Sequence, residues 1–531
     1  MTAETVDAVV VGAGHNGLVA AALLADAGWN VLVLEAAGTP GGAVRSAQVT
    51  APGFSTDLCS AFYPMAAVSP VLRELRLQEH GLRWTHAPDV LTQLLPDGRA
   101  VTLNRDPEVT AASVEQFAAG DGERWLAMYR RWLDVREPLL EAMLRPFPPV
   151  RPALRLVRRQ PVAELLRLAR QVVVPVRALG DTAFAGAGAR TLLAGLAAHS
   201  DLGPDQTSSG VFGWLLAMVG QERGFPVPVG GAQRITDALV RRYGGEVRCG
   251  TPVEQVLVAG GRALGVRCTD GRLVRARRAV LCDVPAPALY EHLVGAGHLP
   301  ARLRDDLRGF QWDNGTVKVD WALSGPVPWT SPAAGAAGTV HLGADVDGLS
   351  RYAYELATGV RPTAPFLLAG QMTVADPTRS PAGTEALWAY THVPQRGRWD
   401  AAEVADHVRR IEAVLERHAP GFGDLVAGRY VTGPAALQAE NPSLHGGAIQ
   451  GGTAAPHQEL FFRPVPGLAR ADTPVDRLFL AGSSAHPGAS VHGACGANAA
   501  RAALARCRPV LGGAYGAAVR AAHRRVYRPA P

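Results

Sequence analysis

Val9-Val10-Val11-Gly12-Ala13-Gly14-His15-Asn16-Gly17 sets a β-branched run against a glycine-rich turn. An alanine- and leucine-rich stretch from Leu18 to Ala27 follows, then Gly28, then Val31-Leu32-Val33-Leu34 and the acid Glu35. The order predicts strand, turn, helix, strand and terminal acid, with seventeen residues between Gly17 and Glu35. A glycine triplet alone says little. In this context it marks a dinucleotide-binding βαβ unit.

Each residue of the unit has a physical task. Gly12 permits the tight turn out of the strand, Gly14 leaves room for a pyrophosphate, and Gly17 lets the helix pack close to the sheet. Ala13, His15 and Asn16 complete the turn, where the helix N-terminus offers free N–H groups to phosphate. Glu35 is suited to accept hydrogen bonds from ribose hydroxyls and would repel a 2′-phosphate, which disfavours NADP. Gly41-Gly42 and then Arg45 come next; their N–H groups and guanidinium suit FAD better than NAD.

Two distant segments repeat this chemistry. Leu478-Phe479-Leu480-Ala481-Gly482 runs into a glycine-rich stretch carrying Ser483, His486, Gly488, Val491, His492 and Gly493, followed by a small-residue helix. Phe225-Pro226-Val227-Pro228-Val229-Gly230-Gly231 precedes a helix and then alternating strands that include Thr251-Pro252-Val253.

With these motifs, Ala375 to Thr384 included, the chain resembles the phytoene desaturase-related FAD oxidoreductases. It is most similar to the branch named for pyridine nucleotide-disulfide oxidoreductase domain-containing protein 2. The resemblance covers nearly the whole chain. It implies non-covalent FAD, with Gly12, Gly14, Gly17 and Glu35 around the ADP half and Val253 near the adenine. It also implies that Gly482 to Gly493 surround the pyrophosphate, ribityl chain and flavin ring.

Composition narrows the alternatives. Hydrophobic residues make up 47% and charged residues 19% of 531, as in a globular chain of two domains or one large domain with an insertion. The six cysteines (Cys59, Cys249, Cys268, Cys282, Cys495, Cys507) form no CxxC pair, so neither a redox dithiol nor a cysteine-based metal site is expected. They read as reduced thiols of a cytoplasmic protein, and Ala/Arg/Gly/Pro richness reads as a GC-rich, bacterial genome. Glu4 and Asp7 precede strand one without a basic signal region, and no stretch reads as a membrane span. Net charge is +6, nearly all of it arginine, and Lys318 is the only lysine. No nucleic-acid motif accompanies the charge, so nucleic acid is not an expected partner.

The expected fold is α/β: a Rossmann-type FAD-binding domain of the glutathione-reductase-like ββα kind with an inserted α+β substrate domain. The cofactor domain is discontinuous, over 1–70, 225–290 and 465–510. A helical insert spans 71–224, a sheet-containing substrate domain 291–464, and a basic C-terminal tail 511–531. Between Arg145 and Arg177 lie eight arginines and one acid, Glu164, interleaved with leucine and valine. The stretch 145–177 has two readings: a peripheral contact with the inner membrane face, or a lid whose apolar side packs on the core. Pro152, Pro161 and Pro175 are expected to break it.

Flavin chemistry needs no obvious acid–base pair, and none stands out. His486, His492 and His199 are the candidate catalytic side chains. His486 and His492 could equally contact the cofactor, and Lys318 and Tyr390 are candidate cavity residues. The expected partner is a small apolar organic substrate, isoprenoid or polyene-like, and the chain could act as a monomer or homodimer. Desaturation, oxidation and isomerisation are open, as are a flavin amine oxidase on a smaller substrate and a non-catalytic flavoprotein.

Overall fold

The computed structural model describes residues 4–397, 399–467 and 469–528. Its first sheet grows from β1 (Glu4–Val11), α1 (His15–Asp26) and β2 (Val31–Leu34). The register from Ala8 to Val11 makes the reason plain: Val10 lies between Val33 and Leu281 in parallel pairing, so β1 is central and Ala8, Val9 and Val10 are fully buried. Such a strand needs apolar residues on both faces. The parallel part of the sheet runs Leu478–Leu480, Leu273–Cys282, β1, β2, Glu246–Arg248. The antiparallel strands Val253–Ala259 and Arg262–Cys268 extend it beside the start of Leu273–Cys282. The chain leaves β1 to one side for β2 and returns on the other, which puts a crevice at the C-terminal end of β1.

A second seven-stranded sheet runs in the order Val426–Thr432, Gly315–Leu323, Glu385–Val393, Leu367–Gln371, Ala337–Leu342, Asp89–Leu94, Ala100–Leu103. Helix Ala401–His418 covers its outer face through Val408, Ile411, Val414 and Leu415. The fold is thus a Rossmann-type FAD-binding unit joined to an α+β insert.

Three expectations need correction. Residues 71–224 are not wholly helical, because they hold the hairpin Asp89–Leu94/Ala100–Leu103, whose first strand pairs in parallel with Ala337–Leu342. Its signal is local: alternating apolar residues flank Leu95-Pro96-Asp97-Gly98, a turn sequence. Most of 511–531 is no loose tail but the helix Gly512–Val526, docked by Tyr515 Oη to Asp472 (2.8 Å) and by buried Tyr527. Residues 529–531 of that segment lie outside the described residues. Pro152 does not break its helix, Val150–Arg159, because it stands in the first turn, where no intrahelical N–H bond is lost. Pro161 and Pro175 do separate helices.

Candidate active site

The glycine turn after β1 is built by contacts that forbid side chains. Gly12 has φ +96°, and a Cβ there would meet Asp283 O at 2.7 Å. A Cβ on Gly17 would stand 2.1 Å from Gly12 O, so α1 can leave the sheet this tightly only from glycine. The second glycine pair lies directly against the first: Gly41 N donates to Ala13 O (2.9 Å), and a Cβ on Gly42 would touch Gly14 Cα at 3.4 Å. Arg45 is held beside them, Nε to Gly42 O at 2.9 Å and a terminal nitrogen to Glu440 O at 3.2 Å.

The third glycine-rich segment closes on the same helix end. Gly493, φ +69°, caps helix Ala494–Arg506, and a Cβ on Gly496 would overlap Asn16 O at 1.9 Å. Gly482 packs against Val284, and its neighbour Ser483 against Gly451. Gly488 lies on the Arg463 guanidinium, which donates to Ser483 O at 2.8 Å. Val491 packs at the edge of the α1 core. Glu35 accepts from Ala13 N (2.7 Å) and Ala37 N (2.8 Å), while Thr251 N donates to Glu35 O, which brings Val253 to the same edge.

One buried donor at the turn, Asn16 Nδ2, has no partner among the described residues, and neither does the ring nitrogen His15 Nε2. A phosphate oxygen would satisfy the Asn16 amide at the start of α1, where Gly12, Gly14 and Gly17 carry no side chain. The residues present therefore fit a dinucleotide.

Of the candidate histidines His486 and His492 are buried and His199 is half-buried, and all three are held neutral. Burial pulls His486 down to about 4 and His492 and His199 to about 3. His486 Nε2 faces Arg145 O at 2.9 Å, and His492 Nδ1 accepts from Ala494 N at 3.1 Å. Both therefore have structural partners. His199 Nε2 stands 2.9 Å from His341 Nε2. One imidazole must donate and the other accept, so two cations there are excluded. Gln450 Nε2 donates to His199 O, and Gly451 beside it packs on Ser483, so this pair is one loop from the third glycine segment.

The inward face of the second sheet follows from its register. Thr316, Lys318 and Asp320 pair with His392, Tyr390 and Trp388. Trp388 and Tyr390 stack at 5.9 Å and 18°, with Phe62 tilted on Trp388 at 6.0 Å. Lys318 forms a buried ion pair with Asp320, whose carboxyl burial lifts to about 6 against the pull of the ammonium.

Several site groups carry no sequence motif. His341 and His392 reach the face only through strand pairing. Asp283 is different. It ends the strand parallel to β1, and Gly17 N donates to its Oδ2 at 2.8 Å. Burial foremost, with Glu35 adding to it, lifts its carboxyl to about 7. An acid closing a buried strand is a signal like that of Glu35 and could have been found.

Residues 17–504 match the family model described as flavin containing amine oxidoreductase. The chain belongs to the flavin-containing amine oxidoreductases. It is an FAD-dependent oxidoreductase. Among curated members it is 29% identical to pyridine nucleotide-disulfide oxidoreductase domain-containing protein 2 of Rattus norvegicus, covering 93% of this chain and 92% of that one. It is 26% identical to the neurosporene-forming phytoene desaturase of Cereibacter sphaeroides, over 94% and 95%. In fold it is similar to the crystal structure of an oxidoreductase from Methanosarcina mazei, with TM-score 0.62, 16% identity, and 94% and 99% of the two chains covered. In this family, FAD carries the redox chemistry by accepting a hydride. Among the described residues no group of histidine, cysteine and acid side chains could hold a metal.

Proposed function

We propose that this flavoprotein oxidises an apolar, isoprenoid-like substrate, holding it against the inward face of the second sheet. The observation that carries the reading is the Trp388–Tyr390–Phe62 aromatic surface beside a carboxylate already neutralised by Lys318. Such a face favours flat apolar or polyene carbon, and Asp320 offers a cationic amine little. The phytoene desaturase of Cereibacter sphaeroides supports the same substrate class.

In this reading Gly12, Gly14, Gly17, Gly41 and Gly42 let the backbone approach the diphosphate. Asn16 donates to it, His15 lines the turn, Arg45 balances its charge, and Glu35 takes the ribose. Val253 borders the adenine, and Gly482, Ser483, Gly488, Val491, His492 and Gly493 wall the remainder. Forming a C=C bond releases a hydride equivalent and a proton. His199, too weak a base in the fold to hold that proton, is placed to pass it on through its hydrogen bond to His341.

Anaerobic incubation with phytoene, putrescine, NADH or NADPH tests the reading through bleaching of the flavin's visible band. Bleaching by phytoene alone is expected. Bleaching by putrescine, with hydrogen peroxide on admitting air, would establish an amine oxidase instead. Reduction by either nucleotide would make the protein a reductase, and a flavin that none of them reduces would overturn the substrate class. His199→Gln is expected to slow bleaching at least about tenfold without loss of bound flavin and to change its pH profile. An unchanged rate and profile would remove His199 from the proton step.

A further inference from the structure

The helices Val150–Arg159 and Val162–Val173 have two apolar sides each, and only one is used. Inward, Pro152 and Leu156 are buried and Leu168 packs on the cluster that holds Trp132 and Trp214. Outward, Val150, Leu154 and Val157 recur at i, i+4 and i+7, and Val162, Leu166 and Val173 at i, i+4 and i+11. These six remain between 49% (Leu154) and 73% (Val162) exposed. No residue of Val162–Val173 is fully buried. Two spaced stripes on adjoining helices make a surface, where isolated exposed apolar residues would need no explanation.

The charge around the stripes is net positive. Arg145 and Arg155 share Glu141, Arg167 pairs with Glu164, and Arg159 lies 3.9 Å from Glu137. Arg151, Arg158 and Arg170 have no ion pair among the described residues. Beside Val150 the surface continues as an aromatic patch, with Phe147 5.5 Å from Phe461, which is itself exposed along with Leu460. Among the described residues no helix is long and apolar enough to cross a membrane, so these helices can lie on a bilayer but not span it.

We propose that these two helices dock the protein on the surface of an anionic phospholipid bilayer. Val150, Leu154, Val157, Val162, Leu166 and Val173 enter the headgroup boundary, and Arg151, Arg158 and Arg170 neutralise lipid phosphates. The free cations complement an anionic surface. The aliphatic stripes, shallow and spread over two helices, match a fluid interface that needs no fixed shape. The proposal stands independently of the substrate, since it concerns the outer side of helices whose inner side packs on the core.

Flotation of the flavin-loaded full chain with vesicles tests it, using phosphatidylcholine alone or with roughly one-third phosphatidylglycerol. The protein is expected to float with the anionic vesicles, to stay down with the neutral ones, and to release as salt rises. Arg151→Glu with Arg158→Glu, and separately Leu154→Ser with Leu166→Ser, are each expected to weaken binding at least about tenfold. Unchanged flavin content confirms that the variants fold, since all four side chains face solvent. Failure of the wild-type chain to float with anionic vesicles would overturn the proposal, as would equal flotation with neutral vesicles. Full binding by the leucine variant would do the same. A wild-type dimer in gel filtration that Leu154→Ser with Leu166→Ser dissociates would assign the face to a second copy of the chain.

Discussion

Asp283 is held between opposing influences at the glycine turn. Gly17 N stabilises its carboxylate at 2.8 Å, while burial and the nearby Glu35 disfavour the charge and lift it to about 7. Cys282 and Cys495 also face it, and burial keeps both as neutral thiols. In the protonated form Asp283 sits beside a diphosphate without repulsion; ionised, it opposes it. FAD affinity is therefore expected to fall as pH rises from about 6 to about 8, by up to tenfold per pH unit. Asp283→Asn should flatten that slope in a fluorescence titration with FAD, and an equal slope in the variant would clear Asp283 of the effect. In the proposed reading Glu35 would act on the ribose end of the cofactor. Glu35→Ala removes an acceptor for the ribose hydroxyls as well as the brace on Ala13 N and Ala37 N, and should weaken FAD binding by about 10- to 100-fold. Unchanged flavin occupancy after dialysis would remove Glu35 from the ribose role. Glu35 was legible in the sequence because its task follows from position within one βαβ unit. His341 and His392 were not, because their site lies on a face assembled by pairing between strands far apart in the chain.

Within the β1–α1 element, packing leaves one atom of freedom too few. A methyl group at Gly17 would stand 2.1 Å from the carbonyl oxygen of Gly12, a backbone atom that cannot swing aside. Gly38, on the loop after Glu35, has nothing within 4 Å of the same added atom and no left-handed φ. Gly17→Ala should thus lose about 1–3 kcal/mol or more of stability and shed flavin, while Gly38→Ala should change neither beyond a few tenths. Thermal unfolding with and without added FAD reads both, and equal midpoints for the two variants would contradict the tight turn. The same element explains why the fold class could be read early. Strand, turn and helix are local, and each local preference agrees with the parallel sheet that holds them. The hairpin Asp89–Leu94/Ala100–Leu103 was missed inside a helical region although its Pro-Asp-Gly turn is equally local. Helix Gly512–Val526 hid behind its positive charge, because what anchors it, Tyr515 on Asp472, is a contact with a distant segment.

Across the whole molecule, many ionisable groups are buried. Burial holds His15, His392, His407, His486 and His523 down to about 4, His199 and His492 to about 3, and His341 well below the ordinary histidine range. Each of these eight is neutral in the fold and takes a proton readily only when unfolded. Their contribution is present above about pH 6.5 and is lost as pH falls toward 4. Asp283, Asp313, Glu385 and Glu459 are lifted to about 7 and Asp320 to about 6, chiefly by burial. For these five the folded chain binds the proton more tightly, so their contribution is present below about pH 4 and is lost as pH rises through 6 to 7. Between about pH 5 and 6.5 the two groups oppose each other, and the larger number of histidines decides the sign. Above about pH 7 the last changes of the two sets nearly cancel, and above about pH 8 neither changes protonation much. The unfolding temperature is therefore expected to fall from about pH 7 to about pH 5 and to stay nearly level from about pH 7.5 to about pH 8.5. Replacing His407, whose ring nitrogens have no hydrogen-bond partner among the described residues and which lies on the outer helix Ala401–His418, by glutamine should shallow the acid limb without touching the flavin. An acid limb of equal steepness in His407→Gln would show that carboxylates elsewhere, held ionised by their arginines, govern the loss.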